Sequence, residues 1–135
     1  MKFLPLALLV FCSLSSAAGC LTYTTEVTLR GKLSRHTFAE QPNYESIANG
    51  DHAASYFFVS PSIPFCVAAG TPNNEELAEQ GVTQVQLVFN SSGVSYAHLR
   101  PYLGKAVECR GILFHAITGH HHSAVLLSEA KCRVA

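Results

Sequence analysis

The chain is predicted to be mainly β: a small barrel of five or six strands with one short helix before the penultimate strand. Three observations carry this prediction. Apolar residues alternate with polar ones at period two along much of the chain. One patch, Tyr96, Leu99 and Leu103, falls instead at helical spacing, and Pro101 limits how far it runs. Two extended segments near the C-terminus then flank a Thr118-Gly119-His120 turn signal, as a closing hairpin would.

Taken in order, Val27, Leu29 and Leu33 alternate with Thr28, Arg30, Lys32 and Ser34, and Gly31 stands where a small-barrel strand bends, so residues 22–35 are expected to form the first strand. Residues 36–53 are polar and carry Gln41-Pro42-Asn43 and Asn49-Gly50-Asp51, which is turn chemistry, so they are expected to form a long loop. An aromatic strand is expected over 55–59. Ser60-Pro61 and Ile63-Pro64 make a tight connection to a third strand over 64–68. Residues 70–81, with Asn73-Asn74, Glu75, Glu76 and Glu79, are expected to be a solvated loop or a single helical turn. Val85, Leu87 and Phe89 mark a further extended segment within 82–89. Asn90-Ser91-Ser92 fits a glycosylation sequon, taken as a chance match because a sequon acts only in a eukaryotic secretory pathway. Ser92-Gly93 opens the helix, and Gly104-Lys105 restarts the sheet. Val107, Cys109 and Leu113 share one face there and Glu108 and Arg110 the other, and the last strand is expected over 124–134.

A helix between the third and fourth strands of a five-stranded barrel suits the oligonucleotide/oligosaccharide-binding (OB) type. The extra segment at 82–89 fits that plan poorly, and another small barrel or roll is the alternative. In the OB type the first-to-second and fourth-to-fifth connections flank the ligand face. Here these are residues 36–53 and 117–123.

Composition narrows the class. With 48% hydrophobic and 13% charged residues among 135, the chain is neither a disordered tail nor a long coiled coil. Residues 1–19 read as a signal peptide: Lys2 begins it, an apolar run follows, and Ser15, Ser16, Ala17, Ala18 and Gly19 supply the small residues for cleavage. Residues 20–135 then form a single barrel domain. No segment reaches the ~20 apolar residues of a transmembrane helix. Ala17-Ala18-Gly19-Cys20 also resembles a lipobox, which would place a lipid anchor on Cys20, though ordinary cleavage near Ala18 or Gly19 is expected. The expected location is periplasmic or secreted, with an outer-membrane lipoprotein as the alternative. Lys and Arg nearly balance Asp and Glu, so nucleic acid is not expected as a partner.

Cys20, Cys66, Cys109 and Cys132 remain after the signal peptide, and in an oxidising compartment they read as two disulfides with three pairings open. A hairpin centred between His120 and His121 sets Cys109 opposite Cys132, at the separation a disulfide accepts. Cys109 with Cys132 and Cys20 with Cys66 is therefore preferred.

The candidate site residues lie in the two suspect loops. Four of the seven histidines fall within eight residues: His115, His120, His121 and His122. Imidazole is a common ligand of zinc and copper, and His120 and His122 project to one side of an extended segment while His115 could approach from the partner strand. The same residues also suit a polar hairpin tip or a pH-sensitive cluster. In the first loop Tyr44 and Glu45 pair an aromatic anchor with a charge, as protein interfaces do. Enzyme motifs are not found: there is no nucleophile elbow, phosphate-binding loop or His-Glu-x-x-His helix, and no thiol is left over.

Cys20-Leu21-Thr22-Tyr23, Pro42-Asn43-Tyr44-Glu45-Ser46-Ile47, Pro101-Tyr102-Leu103-Gly104-Lys105 and the Phe114-His115-Ala116-Ile117-Thr118-Gly119-His120-His121-His122 run together resemble a family of small exported bacterial proteins catalogued only as a domain of unknown function. The resemblance spans nearly the whole mature chain and implies a bacterial periplasm but no activity. It implies that Cys20 and Cys66 belong to the family pattern and that Cys109 and Cys132 are an addition to it, which supports the pairing above. The function expected is a non-catalytic binding module that engages a protein, in the manner of an inhibitor or immunity protein, through 36–53 and 117–123. A metal-binding protein using His115, His120 and His122, with zinc or copper, is the alternative.

Overall fold

A computed structural model describes residues 19–70, 76–89 and 94–135. The expected signal peptide up to residue 18, the Asn73-Asn74 turn, the Asn90-Ser91-Ser92 sequon and the helix start at Ser92-Gly93 lie outside the described residues. The elements are β1 Glu26–Ala39, β2 Ala53–Pro61, β3 Phe65–Val67, β4 Glu79–Val82, β5 Val85–Leu87, α1 Val94–Leu99 running into a 3-10 turn Arg100–Tyr102, β6 Ala106–His115 and β7 Val125–Val134.

Five strands pair in a closed ring, in the order β1-β2-β5-β7-β6, with β6 returning to β1. Every contact in the ring is antiparallel except β5 with β7, which run parallel. β3 and β4 pair with each other in a separate two-stranded sheet. This arrangement accounts for the segment that fitted the OB plan poorly. The strand expected at 64–68 leaves the ring as β3 and takes as partner β4, which forms where a solvated loop or helical turn was expected. Residues 85–87 become the third ring strand. The helix then stands between the third and fourth ring strands, before the penultimate one, so the fold class is the mainly β, OB-like one the sequence predicts.

Burial alternates strictly from Glu26 to Leu33, as period two requires of a strand with one face in the core. β1 continues four residues past its expected end because nine consecutive residues, Gly31 to Ala39, pair with Pro61 to Ala53. The first long loop therefore begins at Glu40, not at 36. At Gly31 a Cβ would lie 2.0 Å from the Ser60 carbonyl oxygen, so no other residue permits β1 and β2 to approach this closely.

The ring encloses Leu29, Leu33, Val59, Val85, Leu87, Val107, Leu113 and Leu127, each at most 5% exposed. Burying each stabilises the fold by about 1.5–3 kcal/mol relative to exposure. Leu99 of α1 joins this cluster, and Tyr96 packs edge-on against Phe57 and Phe89, with ring centroids 5.2 and 4.7 Å away.

Both preferred disulfides are present. Cys20 bonds Cys66 and Cys109 bonds Cys132, over sequence separations of 46 and 23. In chain-entropy terms each contributes about 3–4 kcal/mol. Cys109 faces Cys132 in a register centred between His120 and His121, as expected. Between Arg110 and Ile112 the register slips by one, so nearer the turn the hairpin is centred on His120, with His115 opposite Val125. The slip sits at Gly111, where a Cβ would meet the Ser128 carbonyl oxygen at 2.3 Å, beside Glu129 at φ 50°.

Candidate functional site

The pairing register sets four residues of adjacent strands in one row: Phe58 on β2, Gln86 on β5, Leu126 on β7 and Phe114 on β6. They point out of the ring, opposite in phase to Phe57, Val85 and Leu127, yet Phe58, Gln86 and Leu126 are buried. Loop 117–123 returns over the outer face of the sheet instead of standing off the hairpin tip, with its backbone bonded to Gln86 and His121 against Phe114, while Phe58 lies under His36 and Phe38 of β1.

Gln86 anchors that loop. Its amide nitrogen donates to the His120 carbonyl at 3.0 Å, its amide oxygen accepts from the His122 N–H at 2.6 Å, and its backbone N–H donates to Ser123 Oγ at 2.9 Å. A buried amide left without partners would cost about 1–3 kcal/mol, so the loop backbone and Gln86 specify each other.

The histidines then separate according to side. His120 and His122 reach Glu40, the first residue after β1: His120 Nδ1 lies 2.7 Å from Oε2 and His122 Nε2 lies 3.1 Å from Oε1. Tyr56 donates its hydroxyl to the same Oε1 at 2.6 Å. The His122 ring stacks flat on Phe38 at 3.9 Å and 5°, beside Tyr56. His121, on the other side, accepts the Ile117 and Thr118 N–H groups at Nδ1 (2.9 and 3.2 Å) and packs edge-on against Phe114. Burial, followed by the neighbouring His120 and His122, holds the His121 imidazole below its ordinary value, in keeping with a nitrogen that serves as an acceptor.

Burial pushes the Glu40 carboxyl upward, but the hydrogen bonds from Tyr56, His122 and His120 outweigh it and leave the group below the ordinary carboxylate value. Burial and the bond to Glu40 push the Tyr56 phenol up.

Loop 40–52 is closed at its neck by the Glu40 N–H to the His52 carbonyl and the His52 N–H to the Gln41 carbonyl. Asp51 organises its interior, accepting the N–H groups of Asn43, Glu45 and Ser46 at 2.8–2.9 Å. Those bonds, Ser46 and Glu45 foremost, hold its carboxyl low. Tyr44, in the left-handed region at φ 57°, lies against Gly119 and edge-on to His120, with ring centroids 5.8 Å apart. A Cβ at 119 would sit 3.0 Å from the Tyr44 ring. Glu45 is exposed, and its backbone N–H belongs to the Asp51 turn.

Of the residues singled out from sequence, Tyr44, His120 and His122 meet in one site. His115 is placed elsewhere. It ends β6 with its Nε2 2.8 Å from Glu79 Oε1 and its N–H donated to Glu76, on the side of the β3–β4 sheet. The three-histidine set expected for zinc or copper is thus divided, because the loop carries His120 and His122 over the outer face while His115 stays with the strand. Among the described residues no group of three or more His, Cys, Asp or Glu side chains is arranged to hold a metal ion. Both oxygens of Glu40 and the Nδ1 of His121 are taken up by internal partners. The arrangement serves as a lock between two loops.

Sequence reasoning missed Glu40, Tyr56, Asp51 and Gln86. Only Gln86 carried a signal, as the polar residue in the Val85-Gln86-Leu87-Val88 run, where an outward position could have been suspected of meeting a covering loop.

Residues 84–129 match the family described as "Domain of unknown function (DUF4431)". No curated protein and no solved structure matches the chain. The matched span holds Gln86 and the whole histidine loop but stops short of Glu40, Tyr44 and Tyr56 on the other side of the lock. Over that span this protein is similar to an uncharacterised domain family.

Proposed function

We infer that the protein is an exported, non-catalytic binding module that engages a protein partner through the joint surface of loops 40–52 and 117–123. One observation carries this: Glu40 locks the two loops together, and the locked loops present apolar side chains to solvent. Tyr44 is 40% and Ile117 80% exposed, with Ile47 exposed beside Tyr44 in the first loop. Exposed aromatic and aliphatic anchors on a preorganised surface bind a partner without the entropic cost of ordering the loops. Export is supported by the N-terminal segment and by the two disulfides. Among the described residues no helix is long and apolar enough to cross a membrane. Ordinary signal cleavage is favoured over a lipid anchor, since a Cys20 sulfur bonded to Cys66 cannot carry a thioether-linked lipid. A periplasmic role as an inhibitor or immunity protein rests on fold and location by analogy.

The test is cross-linking from position 47, exposed in the first loop, in the exported protein. A partner captured by the wild type should be lost on Tyr44→Ala with Ile117→Asp and kept with Ile63→Asp, a control on a distant apolar surface. An identical set of captured proteins from all three would overturn the assignment of the surface.

A further inference from the structure

Away from the histidine loop, a groove of about 650 Å³ lies between the first half of β1 and the connection from β2 to β3. Its apolar lining includes Leu21, Pro61, Ile63, Pro64 and Phe65, and Ile63 on its rim is 79% exposed. Among the described residues, the one charged side chain in the lining is Arg30.

The wall on β1 is made by Thr28 and Arg30, and the sheet register shows what stands behind it. Arg110 of β6 lies directly across from Thr28, and Lys131 of β7 directly across from Arg110. In the next row Arg30 faces Glu108, which faces Arg133. Adjacent strands are about 4.8 Å apart, so this cationic face begins one strand spacing from the groove. Glu108 binds Arg30 at 2.7 Å and Arg133 at 2.8 Å, and Glu26 approaches Arg110 only to 3.8 Å. Among the described residues no carboxylate pairs with Lys131. Four cations thus share two carboxylates, and Arg110 and Lys131 oppose each other directly, an arrangement that destabilises a ladder unless an anion lies between them. A cleft runs between these side chains, bounded by Glu108, Arg110, Lys131 and Arg133.

We propose that groove and cleft form one binding site for an anionic amphiphile. A single lipid lays its acyl chain along Leu21, Ile63 and Phe65 and passes its phosphate head over the short Thr28 side chain to rest between Arg110 and Lys131. The apolar lining selects the tail, and the charge behind the wall selects the sign of the head. This site is separate from the protein-binding loops, so it stands or falls independently of them.

The test is calorimetric titration of the disulfide-bonded protein with palmitoyl lysophosphatidylglycerol and palmitoyl lysophosphatidylcholine, each below its micelle concentration. Saturable one-to-one binding is expected, with the anionic head preferred by at least about tenfold. Arg110→Glu with Lys131→Glu, both on the surface, should abolish that preference and leave the zwitterionic lipid unaffected. Ile63→Asp should weaken both lipids. Equal affinity for the two heads, or no saturable binding, would overturn the proposal. So would attachment to phosphatidylglycerol vesicles that survives Ile63→Asp, since surface charge alone would then explain it.

Discussion

Glu40 and Glu108 use the same chemistry in two settings. Each carboxylate gathers two basic side chains, His120 and His122 in one case and Arg30 and Arg133 in the other. Each is held below the ordinary carboxylate value. Glu108 has little exposed surface, but what covers it are guanidinium groups that are themselves well exposed, and the strands it spans are already joined by backbone ladders. Glu40 spans two loops that share no backbone hydrogen bond among the described residues. The comparison teaches that the value of an ion pair depends on what else would hold its partners together. At Glu108 the ladders would, whereas at Glu40 ring packing is what remains between the loops among the described residues, and Gln86 fixes just loop 117–123 to the sheet.

The largest expected effect tests the layer on which the lock is built. Phe58→Ala should cost about 3–5 kcal/mol in denaturant unfolding, as for a core aromatic, although Phe58 points out of the ring. A loss typical of a surface position would show that His36 and Phe38, on which His122 stacks, do not cover this face of the sheet.

Glu40→Gln comes next, at about 1–3 kcal/mol, because it weakens the acceptor shared by His120, His122 and Tyr56. Amide exchange should rise in 40–52 and 117–123 while the ring strands keep their protection. Uniform loss of protection throughout the ring would mean that Glu40 supports the fold as a whole instead of the loops.

Acidification should act in the same direction. Because the folded Glu40 carboxyl lies below its ordinary value of 4.5, its contribution is fully present above that pH and is lost as pH falls through the lower folded value. Asp51 titrates with the same sign in the same loop. Loop exchange followed with falling pH should therefore increase, and Glu40→Gln should remove part of that increase and leave the share of Asp51. A profile identical in the variant would break the assignment.

The smallest effect is expected at Glu108→Gln: a slight loss of stability that vanishes in high salt, as for an exposed pair. A loss equal to that of Glu40→Gln would erase the distinction between the two carboxylates.

Much of the fold was legible because it is written in local patterns. Strict alternation in β1 and the position of the cysteines about the hairpin centre each translate into geometry without knowledge of the rest of the chain. Boundaries were less legible. His36 to Ala39 looked like loop because they lead straight into a polar, turn-rich stretch, whereas β2 pairs with them and Phe38 stacks on His122. The site was half legible: the two unusual loops were singled out, and Tyr44, His120 and His122 lie in it. Glu40 was hidden because nothing about a single glutamate after a strand tells which distant histidines it will meet.

By itself the sequence determined the mainly β class, the short helix before the penultimate strand, the facing of Cys109 and Cys132, and two unusual loops. These follow from periodicity and from cross-strand symmetry about one turn, which are properties of neighbouring residues. Only the tertiary structure decided which extended segments join the ring, that the histidine loop folds over the outer face, and that His115 parts from His120 and His122. Glu40 meets His120 across 80 residues of chain, and such a contact depends on how the ring closes, which no local pattern encodes.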